Sequence, residues 1–372
     1  MSRLRVGVIG VGHLGQHHAR ILASLPDVEL VAVADCRPEQ AERIARLHGT
    51  RAVTDYRTLL DQVEAVSIAV PTILHREVAG VFLSRGIHCL VEKPLAASVA
   101  EAELLVTLSR NTGALLQVGH IERFNPAFTA LERSGLRPRF LHAERLSTYT
   151  FRSTDIGVVL DLMIHDIDLT LAMIAAPVRQ VAAVGVSLFG DHEDVANARI
   201  EFDDGTVANL TASRASYLAA RKMRIWGAEG YASLDFATRQ ATFVEPSEEF
   251  LRGEVDLEGV DTTQAAAVRD HLFGRVLRVD RKQCEGREQL ALELEDFVQA
   301  VRSGTRPRVT AEDALRSMRL ADQITRSLNA HRWESETPTV PTGQPIEATS
   351  VLRGPHAWRL HSLRQKQRAP GR

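Results

Sequence analysis

Leu4-Arg5-Val6-Gly7-Val8-Ile9-Gly10-Val11-Gly12-His13-Leu14-Gly15 carries an apolar run straight into glycines spaced G-x-G-x-x-G. A short apolar run closed by glycine reads as a buried strand, and the residues from Gly15 to Leu25 have helical spacing. Each glycine then has its own task. Gly10 permits a tight turn, Gly12 lets the backbone approach a pyrophosphate, and Gly15 lets the helix pack close to the strand, with the helix N-terminus facing the negative charge. A glycine triad alone is a weak signal, but the next strand-like run, Glu29 to Ala34, is followed by Asp35, where an acid can hydrogen-bond an adenosine ribose. Together they predict a dinucleotide site formed by Gly10, Gly12, His13, Leu14, Gly15 and Asp35. Asp35 also repels a 2'-phosphate, which favours NAD over NADP, and Arg37 offsets part of that repulsion.

Outward from this turn, strand-like runs at Leu4 to Ile9, Glu29 to Ala34, Ala65 to Val70, His88 to Val91 and Leu115 to Val118 alternate with helix-like runs such as Pro38 to Leu47 and Ala97 to Arg110. Such alternation predicts an α/β fold, a doubly wound parallel sheet with helices on both faces. The pattern changes after a helical link near Pro126 to Arg133. A strand at Leu141 to Tyr149 and a helix at Val158 to Asp168 come next, then strands from about Val178 to Val244, separated by turns such as Asp203-Asp204-Gly205-Thr206, which predicts a mostly antiparallel sheet. Helices at Arg287 to Arg302 and Ala311 to Leu328 complete the pattern. The expected organisation is a Rossmann domain over 1–122, an α+β domain over 123–332, and a flexible tail over 333–372, where prolines interrupt a polar, eventually basic segment.

With 372 residues, 44% hydrophobic and 25% charged, the chain can bury the cores of two soluble domains. A formal net charge of -2 gives no reason to expect a nucleic-acid partner, and no apolar run approaches the roughly 18 residues of a membrane span. The first residues lack the order of a secretory signal. Cys36, Cys89 and Cys284 have no paired spacing, so neither a metal site nor a disulfide framework is expected, and the cytoplasm is the expected location.

Three clusters carry the chemistry. Pro71 and Thr72, with His75 just beyond, follow the third clear strand, where loops of open parallel sheets meet their ligands, so all three are expected along the cofactor. Glu92-Lys93-Pro94 ends the next strand, with Glu92 and Lys93 expected at the cofactor, and the proline restricts the backbone of Lys93 to extended geometry, which aims the side chain off the rim of the sheet. A loop lysine is usually a solvated charge; its place beside a nicotinamide site argues otherwise. The third cluster, Val158-Val159-Leu160-Asp161-Leu162-Met163-Ile164-His165-Asp166-Ile167-Asp168, sets four ionisable side chains among apolar ones, and burying unpartnered polar groups costs about 2–7 kcal/mol each. On a helix, Asp161 and His165 share a face, with Asp168 a further near-turn along.

In order and spacing, Gly10-Val-Gly-His-Leu-Gly15, Ala69-Val-Pro-Thr-Ile-Leu-His75, Val91-Glu-Lys-Pro-Leu95 and Asp161-Leu-Met-Ile-His165 resemble the glucose-fructose oxidoreductase and inositol dehydrogenase family over about residues 4 to 330. The resemblance implies a Rossmann domain, an open-faced sheet domain through which chains assemble as homodimers or homotetramers, and nicotinamide-dependent chemistry on a sugar carbinol. It places the catalytic lysine on Lys93 and the Asp-x-x-x-His pair on Asp161 and His165. Oxidising a secondary alcohol needs a base for the hydroxyl proton, and neutral histidine, with an unperturbed pKa near 6.5, suits that task. Asp161 would orient the imidazole or the sugar hydroxyl, and Lys93 would stabilise the developing negative charge on the reacting oxygen.

Val118-Gly-His-Ile-Glu-Arg-Phe-Asn-Pro126 and Arg152-Ser-Thr-Asp-Ile-Gly-Val-Val-Leu-Asp161 resemble a branch of that family whose members oxidise the C3 hydroxyl of UDP-N-acetylglucosamine. The resulting ketone is one that an aminotransferase can convert for lipid A or surface-glycan synthesis. A nucleotide-sugar substrate brings a diphosphate, for which Arg123, Arg145 and Arg152 are candidates. Tyr149, His120 and Asn125 are expected to border the sugar, base or nicotinamide. Another sugar or inositol dehydrogenase, an NAD-dependent glycosidase and a nicotinamide-binding sensor are the competing readings; the intact trio disfavours the sensor.

Overall fold

The apolar runs near the start of the chain form a parallel sheet because their residues are buried on both faces, a condition met when helices cover each side. The structure, a computed structural model, describes residues 2–149, 156–189, 192–255 and 263–331. Strands β1 (Leu4–Ile9), β2 (Val28–Ala34), β3 (Arg51–Val53), β4 (Ala65–Ile68), β5 (His88–Glu92) and β6 (Leu116–Gly119) pair in the order β3-β2-β1-β4-β5-β6, each neighbour parallel. The order reverses between β1 and β4, and the crevice beyond the carboxyl ends at such a reversal is where ligands bind. Helices α1 (Gly15–Ser24), α2 (Pro38–His48), α3 (His75–Leu83) and α4 (Val99–Thr112) join the strands. Pro38 in the first turn and left-handed Gly49 beyond the last bound α2, while the Ser98 hydroxyl caps α4 and Gly113 closes it.

After α5 (Pro126–Ser134) come β7 (Phe140–Leu146), α6 (Ile164–Met173), and then β8 (Val178–Val186), β9 (Val195–Phe202), β10 (Val207–Ser213), β11 (Ala220–Trp226), β12 (Tyr231–Asp235) and β13 (Gln240–Pro246). Short α7 (Glu248–Leu251) and α8 (Ala265–His271) precede β14 (Leu277–Gln283), and α9 (Gln289–Ser303) and α10 (Ala311–Ala330) follow it. The eight strands form one sheet, β14-β13-β12-β11-β7-β10-β9-β8. β7 and β10 are parallel; the β7–β11, β11–β12, β12–β13, β9–β10 and β8–β9 pairs are antiparallel. Buried and half-exposed residues alternate along β7 and β12, so this sheet buries one face and leaves the other open. Among the described residues, no helix is long and apolar enough to cross a membrane.

Two compact units result, and neither is continuous in sequence. The first holds the described residues to Gly135, Leu171–Met173 and Gln283–Leu320; the second holds Leu136–Thr170, Ile174–Lys282 and the described residues from Ala321. The break expected after residue 122 therefore falls after Gly135, and Gln283–Leu320, expected in the second domain, belongs to the first. The physical reason is the apolar stripe of α9: Leu290, Leu294, Phe297 and Val298 are buried in one cluster with Leu4, Val6 and Val8 of β1 and with Ile21 and Leu22 of α1. Periodicity shows that a helix has such a stripe but not which sheet it meets. The expected tail, 333–372, lies outside the described residues.

Candidate functional site

The glycine loop behaves as its spacing requires. Gly10 has φ +81°, and a Cβ there would lie 2.8 Å from the Ala69 carbonyl oxygen; a Cβ on Gly15 would lie 1.8 Å from the carbonyl oxygen of Gly10. Both glycines are thus demanded by packing at the β1–β4 crevice. Gly12 is not, because a Cβ there would meet nothing within 4 Å. A glycine that the protein's own packing does not require fits a backbone kept bare for a dinucleotide phosphate. His13 and Leu14 are exposed on the same loop. Asp35 Oδ2 accepts the Val11 N–H at 3.1 Å, while Oδ1 accepts the Arg37 N–H at 3.0 Å and its Nε–H at 3.4 Å. With about four lone-pair sites, the carboxylate retains capacity for ribose hydroxyls while it fixes the loop.

At the ends of β4 and β5 the expected residues divide. Pro71 is exposed and Thr72 half-buried, on the rim of the sheet. His75 is 1% exposed, with Nδ1 2.8 Å from the Pro94 carbonyl oxygen and Nε2 3.0 Å from that of Val70. Burial pushes its pKa down against those contacts. His75, expected along the cofactor, thus sits against the carbonyls of two strand-end loops. At the end of β5 the partly exposed Glu92 carboxylate meets His18 Nε2 at 3.0 Å and the Lys93 N–H at 3.2 Å. Lys93 itself is half-buried, and its bond to Pro94 is cis. Only four of the 45 basic side chains are lysines, Lys93, Lys222, Lys282 and Lys366, so a lysine at this position is not routine surface charge.

Beyond β6, His120 and Asn125, expected to border a ligand, are buried at 2% and 1% exposure. Asn125 caps α5: its Oδ1 accepts the Ala127 N–H at 3.0 Å and its Nδ2 donates to Glu122 at 2.9 Å. Arg123 is half-buried and faces Asp313. Burial pushes the Asp313 carboxyl up, but the Thr310 hydroxyl and amide, with Arg123 and Arg306, more than offset this and hold it below its usual range.

In the second unit, Val159–Met163 form one turn of π-helix that runs into α6. Residues four apart stay within a turn of one another in either geometry, so Asp161 and His165 keep a common face, and such turns are frequent at functional sites. Burial sorts the four ionisable residues. Asp161, Leu162 and His165 are the half-exposed positions between 161 and 170, whereas Asp166 and Asp168 are 2% and 1% exposed. Asp166 is held by Arg145, whose Nε and Nη2 donate to its two oxygens at 3.0 and 2.9 Å. Arg145 is therefore not the diphosphate contact expected of it, since its fork is spent on a buried carboxylate.

The start of this helix is fixed by Glu193, which sequence reading missed. Its carbonyl oxygen accepts the Val158 N–H at 2.9 Å and its Oε1 the Val159 N–H at 3.1 Å. Gly157 makes room, because a Cβ there would lie 2.0 Å from that Oε1. Next to Glu193, buried Asp194 accepts Arg214 Nε–H at 2.7 Å, and Arg214 Nη1 donates to the Ile156 carbonyl at 2.8 Å. Half-buried Tyr149 packs its ring 4.3 Å from that of Phe189, with the Arg214 guanidinium 5.8 Å from its centre. Arg152 lies outside the described residues. Lys93 belongs to the first unit, Asp161 and His165 to the second. Among the described residues, no group of three or more His, Cys, Asp or Glu is placed to hold a metal ion.

Two family models match the chain. One, described as an oxidoreductase family with an NAD-binding Rossmann fold, matches residues 4–120; the other, the GFO/IDH/MocA C-terminal domain, matches residues 132–233. UDP-N-acetylglucosamine 3-dehydrogenase of Acidithiobacillus ferrooxidans is 40% identical over 302 residues, 81% of this chain and 90% of that protein. A solved structure of UDP-N-acetylglucosamine 3-dehydrogenase from that organism has a TM-score of 0.77 at 36% identity, covering 89% of this chain and 99% of that one. Scyllo-inositol 2-dehydrogenase (NAD(+)) of Bacillus subtilis is 28% identical over 346 residues, 87% of this chain and 94% of that protein.

Proposed function

Because the chain belongs to the GFO/IDH/MocA oxidoreductase family with its NAD-binding Rossmann fold, we propose that it oxidises the C3 hydroxyl of UDP-N-acetylglucosamine to the 3-keto sugar. Bound NAD supplies the hydride acceptor. Gly10, Gly12, His13, Leu14 and Gly15 hold its phosphates, Asp35 and Arg37 its ribose, and Pro71 and Thr72 line it. His165 takes the hydroxyl proton, Asp161 orients the imidazole or the hydroxyl, and the Lys93 ammonium stabilises the oxygen as negative charge develops. Tyr149 and Arg123 border the substrate. With Arg145 committed to Asp166, Arg152 is the arginine we assign to the diphosphate.

The observation that carries this reading is the strip of Asp161 and His165, half-exposed on a helix that buries its other acids. The 40% identical relative supports the choice of substrate. The reading includes a cytoplasmic location and a 3-keto product consumed by an aminotransferase in lipid A or surface-glycan synthesis. It also includes a homodimer or homotetramer joined through the open sheet face, where the Trp226 ring stacks on Phe140 at 5.2 Å and lies tilted against Tyr231 at 5.1 Å. The test is incubation with UDP-N-acetylglucosamine and NAD, with and without an aminotransferase and amino donor to remove the ketone, while NADH absorbance is followed. No NADH under either condition ends the reading. NADH formed only with an inositol or another sugar moves the substrate, and sugar release without NADH indicates glycoside cleavage.

A further inference from the structure

A buried chain of polar contacts runs behind Lys93. His18, in the first turn of α1 and 1% exposed, places Nδ1 2.7 Å from Ser67 Oγ on β4 and Nε2 3.0 Å from Glu92 Oε1 at the end of β5. Glu92 Oε2 in turn accepts the Lys93 N–H at 3.2 Å. Serine, histidine and glutamate in series suggest a nucleophile, but Ser67 has no exposed surface and lies within the sheet, where no substrate reaches. The contacts have a different direction of action, from the helix through the carboxylate to the lysine backbone.

The hydrogen-bonding roles are constrained. A carboxylate only accepts, so Nε2 carries a proton, and the Ser67 hydroxyl completes Nδ1 whether the ring is neutral or charged. Burial pushes the Glu92 carboxyl up, but the hydrogen bond from His18 and the charge of Lys93 act against it, and the net direction is down, so the acid stays ionised. Opposite Glu92 on β6 stands Gly119, where a Cβ would lie 3.1 Å from Oε2 and 3.2 Å from the carboxyl carbon. The sheet thus keeps space for this carboxylate at the one strand end that carries the lysine.

We propose that His18 is a positioning residue for Lys93: it holds the Glu92 carboxylate, which holds the Lys93 amide, so that the lysine leaves the sheet in one direction. This rests on the reading of Lys93 as catalytic. The test combines turnover with an NMR measurement that needs no turnover. The four lysines give four backbone amide peaks after [15N]lysine labelling, and the Lys93 peak is identified by its loss in Lys93→Arg. With NAD bound, His18→Leu should move the Lys93 peak while Lys222, Lys282 and Lys366 stay in place. It should also lower kcat by about 10- to 100-fold, the cost of a small misplacement of a reacting group, with NAD affinity unchanged. His18→Gln, whose amide can donate to Glu92 and accept from Ser67, should restore most of both.

A Lys93 peak and kcat at wild-type values in His18→Leu overturn the proposal. So does a fall in kcat with the Lys93 peak in place, or a shift of all four peaks together. If His18→Leu does not fold, Ser67→Ala, which removes one partner of the ring, is scored by the same peak and the same kcat. Should Lys93→Ala retain turnover, the catalytic reading of the lysine fails, while the amide peak still decides whether His18 governs its backbone.

Discussion

Arg145 closes its guanidinium fork on both oxygens of Asp166, and Asp166 directly follows His165. Both side chains are buried, so the pair locks α6 to β7 at the residue next to the proposed base. Arg145→Met should cost about 3–5 kcal/mol, because it takes the buried guanidinium away from the Asp166 carboxylate. The double variant Arg145→Met/Asp166→Leu should recover much of that loss. Urea denaturation checks both; equal stability of the single and double variants would show that the carboxylate left behind is not the cause.

Gly157 and Glu193 form the second support of that helix. Gly157→Ala drives its methyl into the Glu193 carboxylate and should cost about 1–2 kcal/mol, as for a lost helix cap. In a Glu193→Ala background the same change should cost clearly less, since the obstructed group has gone. Additive losses in thermal unfolding would argue that the two residues act separately.

Lys93→Ala and His165→Ala should each lower kcat by about a hundredfold or more, as expected of groups that act on the reacting oxygen and its proton. NAD binding, measured by fluorescence titration, should stay near its wild-type value. Lost cofactor affinity with unchanged turnover contradicts the roles assigned to them.

Asp35→Ala should weaken NAD binding about tenfold or more and relax discrimination against NADP, because hydrogen bonds to a charged acceptor are worth about 1.5–3 kcal/mol each. The variant also frees the Val11 N–H, so part of the loss comes from a loosened glycine loop. Parallel titrations with NAD and NADP measure both effects. An unchanged NAD/NADP ratio would remove Asp35 from cofactor selection.

His88 provides a pH test away from the site. Its Nδ1 accepts the Leu115 N–H at 2.8 Å, which only an unprotonated nitrogen can do, and burial pushes its pKa below the usual histidine value, with Glu64 opposing. The unfolded chain therefore takes up the proton first as pH falls. Stability is complete above about pH 6.5 and declines from there down to the folded pKa. Buried His75 and half-exposed His48 are shifted the same way, so the comparison is with His88→Asn, whose amide oxygen accepts the same N–H without titrating. The variant should lose less Tm than the wild type between pH 7.5 and 5.5.

What was legible in the sequence was local. The glycine turn, Asp35 one strand later and the four-residue step from Asp161 to His165 are patterns that one element fixes by itself. The supports were not legible, because their partners come from elsewhere in the chain: His18 with Glu92, Arg145 with Asp166, Val159 with Glu193. The backbone contacts of His75 and Asn125 were hidden for a related reason. A polar side chain near a strand end can satisfy the backbone as well as a ligand, and spacing does not distinguish the two. The scarcity of lysine was a usable signal for Lys93, since almost every other cation is arginine.

The return of Gln283–Leu320 to the first unit bears on how the chain is made. A ribosome releases β1 and α1 early, yet Leu290, Leu294, Phe297 and Val298, which close over them, emerge only after nearly all of the second unit. The nascent nucleotide lobe must wait, partly uncovered, for its last helix. Early termination anywhere before α9 leaves that lobe unsealed, so its truncated forms should be the first substrates of chaperones and proteases.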